Sequence, residues 1–467
     1  MKKYKQPIYR NPLIGIYKVL SVILMITVSC ESFVEVDLPQ DQITGEAVFE
    51  ESGTVQASLQ HIYAELRDNA FTSGKSLGVS YLMGHYADEL HLVNPNLNNI
   101  LYYEENNVLP TDDFVLGFWS KGYNLIYATN SIIEGLTVDS GIPEVERNNY
   151  LGEAYFLRAY LHFYLVNLFG PVPYITSTDY TENQAVSRQS EVLVYEHIVE
   201  DLIMAKDLFS ATEINDDNFR PDHWTAVALL ARVYLYQENW ESANKQAIDL
   251  ISQGGFELRT TLDQVFLKDS GETIWQLGPG LEGRNTHEGF SFIVNSPPPN
   301  CVLSENLLDS FETGDRRRSQ WVGTVIDGET QWHFPYKYKQ VSGTETTQEC
   351  SILFRLSEQY LIAAESFAQL GNTTASLDYL NPIRDRAGLS FLSPMPKEEL
   401  LDAISQERRV ELFTEQAHRF FDLKRTNMAN TILSRIKLNW DPTDILLPVP
   451  DSELSINPNL NPQNEGY

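Results

Sequence analysis

Residues 91–107 read HLVNPNLNNILYYEENN, in which Asn94, Asn96, Asn98 and Asn99 lead into the pair Tyr102-Tyr103. Aromatic faces stack on the C–H faces of sugar rings, and amide side chains match the hydroxyl rim, so this composition suits saccharide recognition. An Asn-rich turn with its tyrosines packed inward fits the same residues. Phe290, Phe292 and Asn295 form a second aromatic and amide group. Trp321 follows Asp315-Arg316-Arg317-Arg318, a polar setting that suits an exposed platform. Trp275 sits in the apolar run Thr273-Ile274-Trp275 and reads as core. Trp332 carries no comparable cue.

Catalytic chemistry finds less support. Gly74-Lys75-Ser76-Leu77-Gly78 matches the spacing of a nucleophile elbow, which needs a strand before it and a helix after it. The preceding ELRDNAFTS is helix-end and loop sequence instead. The nine His show no HExxH or other tight metal-ligand spacing. With 64 acids, pairs suited to glycoside hydrolysis can be drawn almost anywhere and carry no information. The expectation is a binding protein, not an enzyme, with no cofactor.

The 467 residues carry 34 bases against 64 acids, a formal charge of −30, which argues against a nucleic-acid partner. Hydrophobic residues make up 42% and aromatics 11%, enough for a packed core. Residues 1–29 hold five bases and no acid, with the apolar run VLSVILMITV at 19–28. That is the layout of a secretory signal, and the run is about half of what a membrane span needs. Thr27-Val28-Ser29-Cys30 resembles a bacterial lipoprotein box, with Thr27 where Leu is usual, and marks Cys30 as the lipidation site. Residues 31–66 carry eight acids and no Lys or Arg, so the processed chain is more acidic still. An acyl anchor at Cys30 would hold it at a membrane despite that charge. Cys301 and Cys350 remain, either paired or as two separate buried thiols.

The elements that must position these groups are mostly helices, and they come in pairs. WTAVALLARVYLYQENWESANKQAIDLI, from Trp224, places Leu230, Ala231 and Tyr234 on one face. A break at Glu238-Asn239 precedes Trp240, Ala243, Ala247 and Leu250 at helical spacing. Small residues let two antiparallel helices approach, the logic of a tetratricopeptide (TPR) pair. Leu151-Gly152 with Tyr155 opens a related segment ending at Gly170-Pro171. Ala363, Ala364 and Phe367, a break at Gly371-Asn372, then Ser376 and Leu380 make another. A weaker pair is expected to join 57–67 to 119–136. Stacked repeats bury one continuous core. The expected division is a signal peptide at 1–29 and an acidic tether at 30–50. A TPR scaffold follows at 51–255, with a ligand loop near 85–113. An irregular insertion with short strands spans 256–348, and a C-terminal pair, capping helix and tail span 349–467. Irregular, aromatic insertions on a helical frame are where binding usually resides.

Five segments resemble the SusD/RagB family, surface nutrient-binding lipoproteins of Bacteroidetes. They are LRAYLHFYLVNLFGPVPYIT at 157–176, RPDHWTAVALLARVYLY at 220–236, and RLSEQYLIAAE with LNPIRDRAGL within 355–389. ERRVELFTEQAHRFFDLKR at 407–425 and the closing LLPVPDSELSINPNLNPQNEGY complete the set, with Pro462 as a small departure. The resemblance implies a mainly all-α, SusD-like fold of stacked TPR pairs with a loop-rich insertion. It implies a surface-exposed outer-membrane lipoprotein that captures an oligosaccharide or polysaccharide and delivers it to a SusC-like TonB-dependent transporter. In starch-binding members an aromatic and an Asn of the early loop belong to the site, which carries over as a region rather than as single residues. A calcium ion shapes the site in some relatives. A RagB-type peptide importer and, further off, a surface hydrolase are the rival functions. Arg408, Glu411, Glu415, Arg419, Asp422 and Arg425 lie at i, i+3 and i+4 spacings and read as scaffold ion pairs.

Overall fold

Helices are set here by caps and small-residue contacts that the sequence repeats. A computed structural model describes residues 2–4, 49–137, 141–209 and 217–467. Cys30, the lipoprotein box and most of the leader and tether lie outside the described residues. Phe49–Tyr467 forms one unit. Its first half runs α1 (Ser52–Asp68), α2 (Val79–Tyr86), β1 (Leu90–Leu92), α3 (Asn98–Glu104), α4 (Asp113–Thr137), α5 (Glu144–Phe169) and α6 (Glu191–Leu208). Next come α7 (His223–Tyr236), α8 (Trp240–Gln253), β2 (Thr273–Leu277), α9 (His287–Phe292), β3 (Cys301–Leu303), β4 (Val322–Asp327) and β5 (Thr330–Pro335). The last part holds β6 (Ser351–Arg355), α10 (Leu356–Gln369), α11 (Thr373–Arg386), α12 (Lys397–Leu412) and α13 (His418–Arg425). The expected mainly helical architecture with a few short strands is what the chain adopts. Among the described residues no helix is long and apolar enough to cross a membrane.

The pairs α7–α8 and α10–α11 turn by the same device. Glu238, at φ 57°, precedes Asn239, whose side chain accepts from the Ser242 N–H at 3.2 Å and caps α8. Gly371, at φ 79°, precedes Asn372, which accepts from the Ala375 N–H at 3.1 Å and caps α11. Each cap is worth about 1 kcal/mol. Ala231, Ala243 and Ala247 are fully buried with Ile362 and Ala363, so the first pair stacks on α10 through small side chains.

Helix α5 is the spine. From Tyr150 to Phe169 almost every residue is buried, so the amphipathic pattern vanishes there. On one side α6 is clamped to it by Arg158, whose guanidinium donates to both Asp201 carboxylate oxygens at 2.7 and 2.6 Å. On another, Gly122 of α4 lets Leu165 approach, and Trp119 meets Phe169 edge-on at 5.2 Å. The expected weaker pairing of 57–67 with 119–136 is present as a contact between α1 and α4, though α4 packs far more heavily on α5.

The insertion is tied to the spine at both ends. β2 and β6 pair antiparallel, and Trp275 of β2 packs edge-on against Phe156 and Tyr160 of α5, each at 5.1 Å. Trp275 is core, as its apolar run predicts. Cys301 and Cys350 are two separate buried thiols.

The charged motif at 407–425 is scaffold of a different kind from the one its spacing suggests. Only Asp422–Arg425 is a local pair, at 2.8 Å. The Glu411 carboxylate receives Arg355 and Arg386 at 2.5 Å and Arg317 at 2.9 Å, with all four residues buried. Arg419 binds Asp88 at 2.7 Å, far back in the chain. The helix breaks between α12 and α13, with Thr414, Gln416 and Ala417 at positive φ, so these side chains point to distant elements.

Candidate functional site

A two-stranded ladder brings the two irregular stretches together. β1 pairs antiparallel with β3, Leu90 opposite Leu303 and Leu92 opposite Cys301. Beyond it, the Asn300 carbonyl accepts from the N–H groups of Val93 and Asn94 at 2.8 and 3.2 Å. The Asn94 side chain donates to Asn300 Oδ1 at 3.1 Å, and its own oxygen turns the chain by accepting from the Asn96 N–H at 3.1 Å.

Helix α3, just past that turn, is held from behind. Glu104 accepts from His85 of α2 at 2.8 Å and from His91 of β1 at 2.9 Å. Burial pushes the Glu104 carboxyl up, but the two imidazoles and Lys437 outweigh it and bring it down to about 2. Tyr103 is fully buried; its hydroxyl donates at 3.2 Å to Asp112, which also accepts from the N–H groups of Phe114 and Val115 and caps α4. Tyr103 therefore fixes α3 against α4.

Helix α9 supplies the opposite side. Thr286 caps it by accepting from the Gly289 N–H at 3.0 Å. His287 pairs with Asp68 of α1 at 2.9 Å, and Ser351 donates to the buried Glu288 at 2.6 Å. Gly289 is required by contact: a Cβ there would stand 2.1 Å from the Gln340 carbonyl oxygen. Phe292 turns inward and stacks on Tyr81 of α2 at 5.7 Å, while Phe290 is 73% exposed.

Between these walls lies a cavity of about 810 Å³, within the range of small-molecule sites. Asn96, Asn98, Asn99, Asn295 and Asn300 line it, with Tyr81, Phe114, Phe290 and Phe292. Ser76, Ser291 and Ser296 add hydroxyls. None of its lining residues is Asp, Glu, Lys, Arg or His. In so acidic a chain that is a strong local departure, and it leaves hydrogen bonding to neutral groups that face solvent.

The structure brings Asn98, Asn99, Phe290, Phe292 and Asn295 to this one cavity and leaves three other candidates outside it. Tyr102 is surface-exposed but does not line the cavity. Tyr103 is core, with the hydrogen bond described. Trp321 is corrected from platform to core: it is fully buried, and its indole N–H donates to the Leu262 carbonyl at 3.0 Å. The polar residues before it misled, because Arg317 is itself buried on Asp315, and the Trp321 ring lies against Lys337 at 5.1 Å and Arg355 at 5.9 Å. Tyr81, Phe114 and Asn300 were missed. Asn300 ends a Pro-rich run, a loop signal, whereas nothing local distinguishes Tyr81 from an ordinary core tyrosine.

Trp332, unassigned by sequence, lines a second cavity of about 500 Å³ at the other end of the same ladder. That one is charged, with Asp88, Glu104, Glu305, His91 and His333 among its residues. Gly74–Gly78 lies in a turn after α1 with no strand before it, so the elbow lacks its setting. Among the described residues no group of three or more His, Cys, Asp or Glu is arranged to hold a metal ion.

Comparison with known proteins follows the same two halves. A family model described as starch-binding and associating with the outer membrane matches residues 33–235, and the SusD family model matches residues 306–467. The chain belongs to the SusD/RagB family. SusD-like protein P2 of Formosa agariphila is 28% identical, the match covering 97% of this chain and 99% of that one. SusD-like protein P25 of the same organism is 24% identical over 94% and 97%. Among solved structures, a SusD superfamily protein from Bacteroides vulgatus superposes with a TM-score of 0.78 at 21% identity, covering 90% of this chain and all of that one. A laminarin-binding SusD-like protein gives 0.73 at 23%, covering 89% and 99%. Both share the SusD fold with this chain.

Proposed function

We propose that this SusD-like chain is an outer-membrane lipoprotein that captures a neutral glycan in the 810 Å³ cavity and passes it to a SusC-like TonB-dependent transporter. The observation that carries the reading is the lining: five Asn, three Ser and four aromatic rings, with no charged side chain. Neutral hydroxyl-rich ligands need hydrogen bonds in both directions, which amides and hydroxyls offer, and flat apolar faces, which rings offer. A peptide with charged termini would find no counter-charge there. Phe290 is the stacking platform, and Asn98, Asn99 and Asn295 form the polar rim. The solved relative described as laminarin-binding, alike in fold, supports a carbohydrate as ligand.

The chemistry is capture rather than turnover. Exposed amides and a single exposed ring hold a ligand weakly enough for it to be passed on. Anchoring through Cys30 follows from the lipoprotein-like box, and the family's description supports the outer membrane as the setting.

Calorimetric titration with neutral oligosaccharides, uronic-acid oligosaccharides and peptides tests the proposal. It expects binding of a neutral glycan, unchanged glycan after incubation, and weakened binding in Phe290→Ala. Binding confined to peptides would favour the RagB-type function, and product formation would favour a hydrolase. A Cys30→Ala variant is expected in the soluble fraction, and mild-detergent extraction of the native protein is expected to carry a large β-barrel partner.

A further inference from the structure

We propose that Arg408 and Arg409 hold a single halide ion in a small pocket between α12, α13 and the Asp88-Glu89 pair that leads into β1. Glu89, Arg408, Arg409, Arg419 and Asp422 line this pocket, far from the charge-free cavity in chemistry and in lining residues.

Its unmet hydrogen-bonding capacity is concentrated and consists mostly of arginine donors. Arg408 is 2% exposed, and only its Nε has a partner, Asp422 at 2.8 Å. Both terminal nitrogens, Nη1 and Nη2, are buried with no partner among the described residues, and so is Nε of Arg409. Glu89 Oε1 is a fourth such atom. Burial pushes the Glu89 carboxyl up to about 8, so near neutrality it is a neutral acid that can also donate. Leaving buried donors unmet is costly, and more so when they are charged.

The charges do not balance either. Arg408, Arg409, Arg419 and Arg425 are set against Asp88, Asp422 and Glu365, each paired within 2.9 Å. With Glu89 neutral, one positive charge lacks a counter-ion. Water would meet the donors and leave that charge. A monatomic anion meets both. Size narrows the choice, because a pocket of only about 10 Å³ favours a compact monatomic ion over sulfate or phosphate. Such an ion would tie α12 to the segment that starts β1, and thus brace the ladder on which the glycan cavity is built.

Crystals grown without halide and then soaked in bromide give the direct readout. One anomalous peak is expected within hydrogen-bonding reach of Arg408 Nη1 and Nη2. In solution, thermal unfolding in chloride or bromide, against gluconate at equal ionic strength, is expected to show a saturable rise of about 2–4 °C. Arg408→Gln should abolish that rise; if it does not fold, Arg409→Gln, which leaves the Arg408–Asp422 pair intact, should weaken it. Ordered water with no anomalous signal, or an equal rise in gluconate, overturns the proposal. A bromide peak with no halide dependence in solution means an adventitious ion only and overturns it too.

Discussion

Asn94 and Asn300, 206 positions apart, are joined side chain to side chain at 3.1 Å, while the Asn300 carbonyl accepts from the N–H groups of Val93 and Asn94. This joint is where the early Asn-rich loop and the aromatic insertion become one site. Asn300→Ala removes the side-chain bond and keeps the carbonyl. Neutral glycan affinity should fall about 3- to 10-fold by calorimetry, the worth of one hydrogen bond. The melting temperature should move by less than about 2 °C.

Phe290 is the exposed ring of the cavity, 73% open to solvent, so its removal costs the fold little. Phe290→Ala should weaken glycan binding about 5- to 30-fold, the loss of one stacked ring, with unchanged thermal unfolding. Tyr102→Ala should leave both untouched, since Tyr102 lies outside the lining.

Tyr103→Ala and Trp321→Ala should act the other way. Both side chains are fully buried, and each would lose about 3–5 kcal/mol of stability in denaturant titration. Binding by the folded fraction should survive in Trp321→Ala, because that ring is not among the residues that line the cavity.

These contrasts mark what sequence could and could not carry. The helix pairs were legible because their information is local: Ala231, Ala243 and Ala247 at helical spacing, and an Asn cap after a left-handed residue. Asn98, Asn99, Phe290, Phe292 and Asn295 were legible as candidates because amides and rings gather in irregular chain. Their meeting was not, since the Leu90–Leu92 and Cys301–Leu303 ladder forms across some two hundred residues with only three residues per strand. Tyr103 had a usable signal, its i, i+3 spacing from the buried Ile100, which gives α3 an inward face. Trp321 had a false one, because arginine ordinarily reports solvent and here reports a buried carboxylate.

Glu411 tests that buried network. Removing its carboxylate strands Arg317, Arg355 and Arg386, so Glu411→Ala should cost about 3–5 kcal/mol, measured by denaturant unfolding. A change under about 1 kcal/mol would show that the arginines find other partners.

Stability should also depend on pH through Glu288 at the base of α9. Burial pushes its carboxyl up to about 7, against the opposing pull of the Ser351 hydrogen bond. A raised folded value means its contribution is full below the unfolded value, about 4.3, and is lost as pH rises through about 7. Glu411 runs oppositely. Burial pushes it up, but Arg386, Arg355 and Arg317 outweigh that and hold it low, so its contribution is lost only in acid. Glu288→Gln should therefore gain on the wild type by about 2–4 °C between about pH 5 and about pH 8. A difference independent of pH would contradict the assignment.

The central claim is that a neutral glycan occupies the charge-free cavity, and the structure of the protein with a bound oligosaccharide tests it most directly. The predicted result is sugar density between Asn96–Asn99 and Phe290–Asn295, one ring stacked on Phe290 and hydroxyls on the amides. Density confined to the charged cavity beside Trp332 would contradict it.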